Sequence, residues 1–450
     1  MIGIIMFFVG MLMLLIGFPV AFTFGAVSVV FGLIAGVVES LGDGGTLIEG
    51  LEIGSNMFAF MPHRIWAIMN NTILIAVPMF ILMGIILQKS RLAERLLEAM
   101  GFLFGEIRGG LAISTVLVGA LLAASTGVVG ASVVAMGVIS LPVMMKYNYS
   151  KSLACGTICA SGTLGQIIPP SVVLIILGDV FQQPVGDLFE GAFWPGLTLV
   201  ALYIIYIAIV SYLKKGMAPA IPKNEITANK LHQIWIALKA ILPPLILIML
   251  VLGSIFEGIA TPTESSAVGC IGAMFLAWIY KSFSFKMIHE ASLETVRATA
   301  MVFAILIGAT AFSMVFSYTG GDEIIEEIMR NLPGDKWGFI IVSMLAIMTL
   351  GFFIDFVEIS YIIVPILAPI AEGLGFNPVW YALLIALNLQ TSFLTPPFGF
   401  SLFYLRGVAP PNVTTLDIYK GVVPFILLQI LVLAMFAIYP EFYGVEMMLK

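Results

Sequence analysis

Charge is scarce in this chain. Lysine, arginine, aspartate and glutamate make up 10% of its 450 residues, against about 25% in soluble domains. A soluble fold of this length could not be solvated by so few charges. Cysteine is scarcer still. Cys155, Cys159 and Cys270 are the only three, each in an apolar run, where a free thiol packs as a small hydrophobe. Cys155 and Cys159 share a helical face, but no histidine or carboxylate accompanies them to complete a metal centre. The three histidines, His63, His232 and His289, leave little material for a proton relay near neutral pH. The chain has no Gly-rich nucleotide loop, no Gly-x-Ser-x-Gly and no His-Glu-x-x-His. Its longest polar connection, residues 214–239, is too short to house a catalytic domain. Enzymes of those classes are excluded, and no nucleic-acid partner is expected.

What is present is hydrocarbon. Apolar residues make up 60% of the chain, and its mean hydropathy is +1.10. Apolar runs of 17 or more residues recur from end to end, each long enough to cross a core of ~30 Å. A signal peptide would leave one such run, and a membrane barrel would alternate polar and apolar residues. The expected fold is therefore an all-α polytopic membrane protein in the lipid bilayer. Basic residues mark the cytoplasmic side. They cluster at Lys89, Arg91, Arg95 and Arg108; at Lys146 and Lys151; at Lys214, Lys215, Lys223, Lys230 and Lys239; and at Lys281 and Lys286. Residues 110–145 thus begin and end on one side, interrupted at Ser125-Thr126-Gly127. The first arm, residues 110–124, measures about 22 Å as helix, too short to cross. A re-entrant helical hairpin is the economical reading; two tilted spans with a tight outer turn are the alternative. Residues 337–372 are interrupted near Asp355. They follow a connection rich in acid (Asp322, Glu323, Glu326, Glu327, Asp335) and read as a second hairpin entering from the other side.

The text after each hairpin is alike. "QIIPPSVVLIILG" with Pro169 and Pro170 follows the first; "FLTPPFGFSLFYLRG" with Pro396 and Pro397 follows the second. "DLFEGAFWPG" from Asp187 is then echoed by "DIYKGVVPF" from Asp417. The order is hairpin, double-proline break, Asp-aromatic turn and proline-containing span, given twice with opposite flanking charge. That is the sign of an inverted-topology repeat, as in secondary transporters. Proline breaks a helix, and broken backbone in hydrocarbon is tolerated only where it is buried in protein or lines a polar cavity. Two breaks beside two Ser/Thr-bearing tips therefore point to a binding site; kinks made for packing alone are the plainer reading. Freed carbonyls suit a cation, and helix N-termini suit an anion.

Four stretches carry a family resemblance: "ASTGVVGASVVAMG" (124–137), "SGTLGQIIPPSVVLIILG" (161–178), "ATPTESSAVG" (260–269) and "FLTPPFGFSLF" (393–403). They resemble the large membrane subunit of tripartite ATP-independent periplasmic (TRAP) transporters, the DctM-like family, nearly end to end. The resemblance implies Na⁺-coupled import of small organic acids across the bacterial inner membrane. It implies a small four-helix membrane subunit (DctQ-like) and a periplasmic substrate-binding protein (DctP-like) as partners. It also implies an elevator-type fold, in which a mobile unit slides against a scaffold. The first tip departs from the Ser-Gly-Ser of many members. The stretch "FFIDFVEIS" (352–360) carries Glu358 as well as Asp355, and such variants resemble a subgroup whose binding proteins take 2-oxo or hydroxy acids.

The expected division is residues 1–105 as scaffold, 106–190 as the first hairpin and broken helix, 191–320 as scaffold with the central linker, 321–410 as the second hairpin and broken helix, and 411–450 as a C-terminal scaffold helix. One Na⁺ cage is expected from Ser125, Thr126 and Gly127 with Ser161, Gly162, Thr163 and Gly165. A second is expected from Asp355 with Gln390, Thr391, Ser392 and Thr395, hydroxyl and carbonyl oxygens suiting a hard cation. Ser125, Thr126, Thr163, Asp355, Glu358 and Thr391 are the candidate substrate contacts, with Asn388 weaker; Glu358 is left open between site and structure. No cofactor beyond the coupling Na⁺ is expected. Small residues at the tips also suit close helix packing, and Asp355 also suits a helix end. Glu264 reads as half of a capping box with Thr261. Arg297 and Arg406 are the possible clamps for a substrate carboxylate, Arg406 being better placed to snorkel. The alternative function is a self-sufficient Na⁺/carboxylate symporter of related architecture. An intramembrane aspartyl protease lacks its second aspartate.

Overall fold

A computed structural model describes residues 1–127, 129–214, 216–222 and 230–449; the side chains of Ser125, Thr126 and Asp335 lie outside the described residues. Among the described residues the regular structure is all helix, joined by turns and irregular passages, apart from one isolated bridge between Phe376 and Met448. Among the described residues, eight helices are long and apolar enough to cross a membrane. Many apolar side chains face outward, among them Phe8, Phe22, Leu213, Ile259 and Trp278. An aqueous surface would not carry so many, whereas lipid is as apolar as they are.

The helix starts follow from the sequence. Thr261 accepts from Glu264 N at 3.3 Å, and Glu264 Oε2 accepts from Thr261 N at 2.8 Å, so the expected capping box is formed, with Pro262 in the first turn. Thr46 with Glu49 and Thr414 with Asp417 repeat the device. All three cysteines are buried and free, as packing residues should be.

The first hairpin is formed by Gly110–Thr126 and Val129–Lys146. Its first arm runs two residues beyond the expected 124, and the chain turns at Gly127, whose φ of 60° is the left-handed region that glycine adopts at little cost. The first broken helix consists of Lys151–Thr163, a 3-10 turn Leu164–Gln166, an irregular passage over 167–171, and Val172–Val180. The second hairpin runs through Asp335–Leu350 to a tip at 351–355, then Phe356–Glu358, a π-helical turn Ile359–Ile363 and Val364–Gly373. Pro378–Leu394 and Phe400–Val408 form the second broken helix. Both Pro-Pro bonds at the breaks are cis. A third double proline, Pro243-Pro244, lies inside the unbroken helix Lys230–Phe256.

That helix also corrects the reading of the central connection. Read as a polar connection through Lys239, it turns helical at Lys230. Its described part is strapped to the base of the first hairpin. Gly109 N donates to Ala218 O (3.0 Å), Ile221 N to Gly105 O (2.7 Å) and Ser150 N to Met217 O (2.8 Å).

Candidate functional site

Each hairpin tip rests on the broken helix that follows it in sequence. At the first, a methyl placed on Gly127 would lie 3.4 Å from Val172 N and 3.5 Å from Pro170 O. The glycine therefore touches the start of the second helical half. Gly165 abuts Ala123 of the tip arm, and Gly162 abuts Val133 of the return arm, where a methyl would be 2.3 Å from Val133 Cγ2. Gly127, Gly162, Thr163 and Gly165 thus gather at one place. The Thr163 hydroxyl donates to Ala160 O (2.9 Å) and accepts from Gln429 Nε2 (3.3 Å). Ser161 donates to Ile158 O (3.1 Å). The side-chain roles expected of Ser125 and Thr126 fall outside the described residues.

At the second tip, Gly351 abuts the Ser392 hydroxyl, and the Phe353 ring lies 5.3 Å from that of Phe398 beyond the break. Asp355 Oδ1 accepts from Phe356 N at 2.6 Å and starts the short helix there, which is the structural role weighed for it. Its other oxygen is not committed by that bond. Thr391 donates to Leu387 O (2.9 Å), Ser392 to Leu389 O (2.8 Å) and Thr395 to Thr391 O (2.7 Å). Each hydroxyl proton is spent on its own helix, which leaves oxygen lone pairs as the remaining capacity of these groups, the polarity a cation needs. Glu358 is buried, with Oε2 lacking any partner, three residues from Asp355 and within electrostatic reach of it. Asn388 donates to Met344 O (2.7 Å) and ties the second hairpin to its broken helix.

The two halves interlock. Val172–Val180 of the first broken helix packs against Phe356–Glu358 and the π-helical turn of the second hairpin, while Phe400–Val408 of the second broken helix packs against the return arm of the first hairpin. The Pro378–Leu394 helix lies on both Lys151–Thr163 and the 3-10 turn. Tyr404 bridges the halves, its ring against Gly130 and its hydroxyl within electrostatic reach of Asp355.

Sequence reasoning missed several polar residues here. Gln166, in the 3-10 turn before the first break, is fully buried and neither end of its amide has a partner; Gln390, already expected in the second cage, is buried and unpartnered in the same way. Gln429 reaches Thr163 from the C-terminal span Thr415–Ile438. Asp179, 8% exposed, is held by Asn71 Nδ2 at 2.5 Å. Unpaired buried amides are rare in native proteins and call for a water, ion or ligand. The signal for Gln166 and Gln429 was available as an amide side chain in an otherwise apolar run. The expected arginines stand elsewhere. Arg406 donates to the Val413 carbonyl, and Arg297 is exposed. No lysine, arginine or histidine is among the buried residues described, so a substrate anion would meet helix N-termini, hydroxyls and amides.

A family model described as "Tripartite ATP-independent periplasmic transporter, DctM component" matches residues 4–442. The chain is 32% identical over 339 residues to the C4-dicarboxylate TRAP transporter large permease protein DctM of Pseudomonas aeruginosa, covering 74% of this chain and 77% of that one. It is 30% identical over 431 residues to the ectoine TRAP transporter large permease protein TeaC of Halomonas elongata, covering 95% of each. Among solved structures it resembles the Alcanivorax borkumensis YdaH transporter, with a TM-score of 0.58 at 12% identity over 86% of this chain and 89% of that one; the likeness extends to the fold alone.

Proposed function

This chain belongs to the DctM component family of tripartite ATP-independent periplasmic transporters, and from that premise we propose how it works. It is a multi-pass membrane protein and not an enzyme. Our reading is that it sits in the bacterial inner membrane with a small four-helix subunit and receives a small organic acid, a 2-oxo or hydroxy acid, from a periplasmic binding protein. Two Na⁺ ions bind at the two tip-and-break pairs and drive uptake. The observation that carries this reading is the pairing of each hairpin tip with a break, surrounded by buried amides without partners. Oxygen-rich, cation-poor surroundings at depth are costly when empty and are stabilised by an ion. Residues 106–190 and 321–410 form the mobile unit of an inverted-repeat elevator, a division supported by the interlocking of the two halves. We extend that unit to the C-terminal span, expected above to be scaffold, a revision supported by the close seating of Thr415–Ile438 on Lys151–Thr163.

Reconstitution tests it. Proteoliposomes holding this chain, the small subunit and the binding protein should accumulate substrate when Na⁺ is outside and lose uptake when choline replaces it. Uptake that persists in choline and collapses with the proton gradient overturns the sodium assignment. Robust uptake by this chain alone favours a self-sufficient symporter.

A further inference from the structure

The helix Val172–Val180 carries a buried carboxylate in its last turn, at Asp179. The end of a helix presents carbonyls, so its own backbone offers a carboxylate no N–H there, and the dipole disfavours the charge. Asn71 Nδ2 donates to Asp179 Oδ1, a bond that leaves the second oxygen uncommitted. Asn71 stands at the start of Thr72–Lys89. Val172–Val180 packs both on that span and on the π-helical turn Ile359–Ile363 of the second hairpin. Tyr361 is the middle residue of the turn. Such turns interrupt the α register and recur at functional sites. Tyr361 is 5% exposed, its hydroxyl has no hydrogen-bond partner, and it lies within electrostatic reach of Asp179. A buried phenol proton left unspent is costly, and neither proposed ion cage uses it.

We propose that Tyr361 is a positioning residue for the transport stroke: its hydroxyl takes over the Asp179 carboxylate when the Asn71 amide releases it. The proposal rests on the sliding unit described above. Asp179 and Tyr361 both belong to the residues assigned to that unit, 106–190 and 321–410, and Asn71 belongs to 1–105. The Asp179–Tyr361 pair therefore travels together, and the bond to Asn71 is the one that parts. A carboxylate stranded at depth without a donor would oppose the stroke. The handover removes that obstacle with one neutral donor replacing another, so no charge has to move and no water has to enter. In the conformation seen here the phenol is idle and the amide is engaged. After the stroke the phenol is engaged and the amide is released. Each end of the stroke then keeps the carboxylate paired, which holds the two conformations near balance.

Tyr361→Phe removes one oxygen and keeps the ring. In proteoliposomes holding the chain, the small subunit and the binding protein, its maximal uptake rate should fall about tenfold, the scale of one hydrogen bond to a charged group, with half-saturation for substrate not raised. Thermal unfolding of the detergent-solubilised chain should hold or rise, because the hydroxyl removed has no partner in this conformation. A merely structural role would lower stability together with rate. In an Asp179→Asn background, where no charge is stranded, Tyr361→Phe should change the rate less than about twofold. An unchanged maximal rate, a raised half-saturation for substrate, a loss of stability, or an equal tenfold fall beside Asp179→Asn overturns the handover. The sliding reading fails separately, if Asn71→Cys and Asp179→Cys joined by a short thiol-reactive bridge still transport at full rate. Arrest by that bridge, with Tyr361→Phe at the parent rate, strikes the handover alone.

Discussion

Gly421→Ala should both destabilise the protein and weaken its response to Na⁺. The C-terminal span meets the first broken helix backbone to backbone. A methyl on Gly421 would lie 2.1 Å from Ser152 O, and one on Gly156 would lie 2.1 Å from Gly421 O. Neither obstacle is a side chain that can swing aside. Restoring an ordinary contact of 3.4 Å requires the helices to part by about 1.3 Å locally. Eight residues on, about 12 Å along the helix, Gln429 Nε2 donates to Thr163 at 3.3 Å. That bond is already long, and half of the local displacement carries it out of range. Gln429 is 2% exposed, and its Oε1 already lacks a partner. Overpacking costs about 1–3 kcal/mol and the orphaned amide about 1–3 kcal/mol more, against a gain of at most ~1 kcal/mol from alanine's helix propensity.

The controls are Gly253→Ala and Gly407→Ala, where an added methyl meets nothing within 4 Å. Thermal unfolding of the detergent-solubilised protein should fall for Gly421→Ala and hold or rise for the controls. In reconstituted uptake, the Na⁺ concentration for half-maximal rate should rise for Gly421→Ala alone, because Thr163 loses its positioning partner. Unfolding indistinguishable from the controls would refute the packing argument. Reduced stability with an unchanged Na⁺ midpoint would refute the link from Gln429 to the ion.

Three further outcomes are expected. With the buried native cysteines replaced, single cysteines at Lys146 and Lys336 should label from opposite sides of the membrane with an impermeant thiol reagent; same-side labelling defeats the inverted repeat. Asp355→Asn keeps an acceptor for Phe356 N, so the short helix persists, but the charge is gone. Uptake should need more Na⁺ or be lost, and wild-type Na⁺ dependence would remove Asp355 from the ion site. Thr261→Ala removes the acceptor of the Glu264 amide and should cost about 1 kcal/mol in unfolding while leaving the Na⁺ midpoint alone; a shifted midpoint would tie that helix start to the transport step.

What was legible in the sequence was whatever conflicts with lipid. Proline, glycine and a lone carboxylate inside apolar text announced the tips and breaks, and loop charge suggested their sidedness. The Thr261–Glu264 cap was legible because both of its partners lie within one turn. Features that arise only on packing were hidden. The π-helical turn Ile359–Ile363 reads as ordinary apolar helix, and it lies where the second hairpin meets Val172–Val180 and the long Phe285–Tyr318 helix. Pro243-Pro244 shows that two prolines do not by themselves break a helix. The chain breaks at 169–170 and 396–397, where a hairpin tip packs against the interruption. Gln429 looked like one polar residue in a span without tip or break, and only the Gly156–Gly421 approach brings it to Thr163.

Asn71 and Asp179 are 108 residues apart in sequence, and their contact bears on the proposed sliding motion. Asn71 caps the Thr72–Lys89 span, its Oδ1 accepting from Ile73 N at 2.9 Å while its Nδ2 donates to Asp179 at the far end of the first broken helix. One partner belongs to residues 1–105 and the other to the proposed mobile unit. A sliding unit must break this bond in every cycle, and the buried carboxylate must then find water or another donor, since stranding it in hydrocarbon costs several kcal/mol. Cysteines at both positions, bridged by a short bifunctional thiol reagent, should therefore arrest uptake, and reductive cleavage of the bridge should restore it. Each single cysteine, treated alike, controls for loss of the hydrogen bond. Full transport by the bridged protein would mean that these two helices travel together, and the boundary between fixed and mobile units would have to be drawn elsewhere.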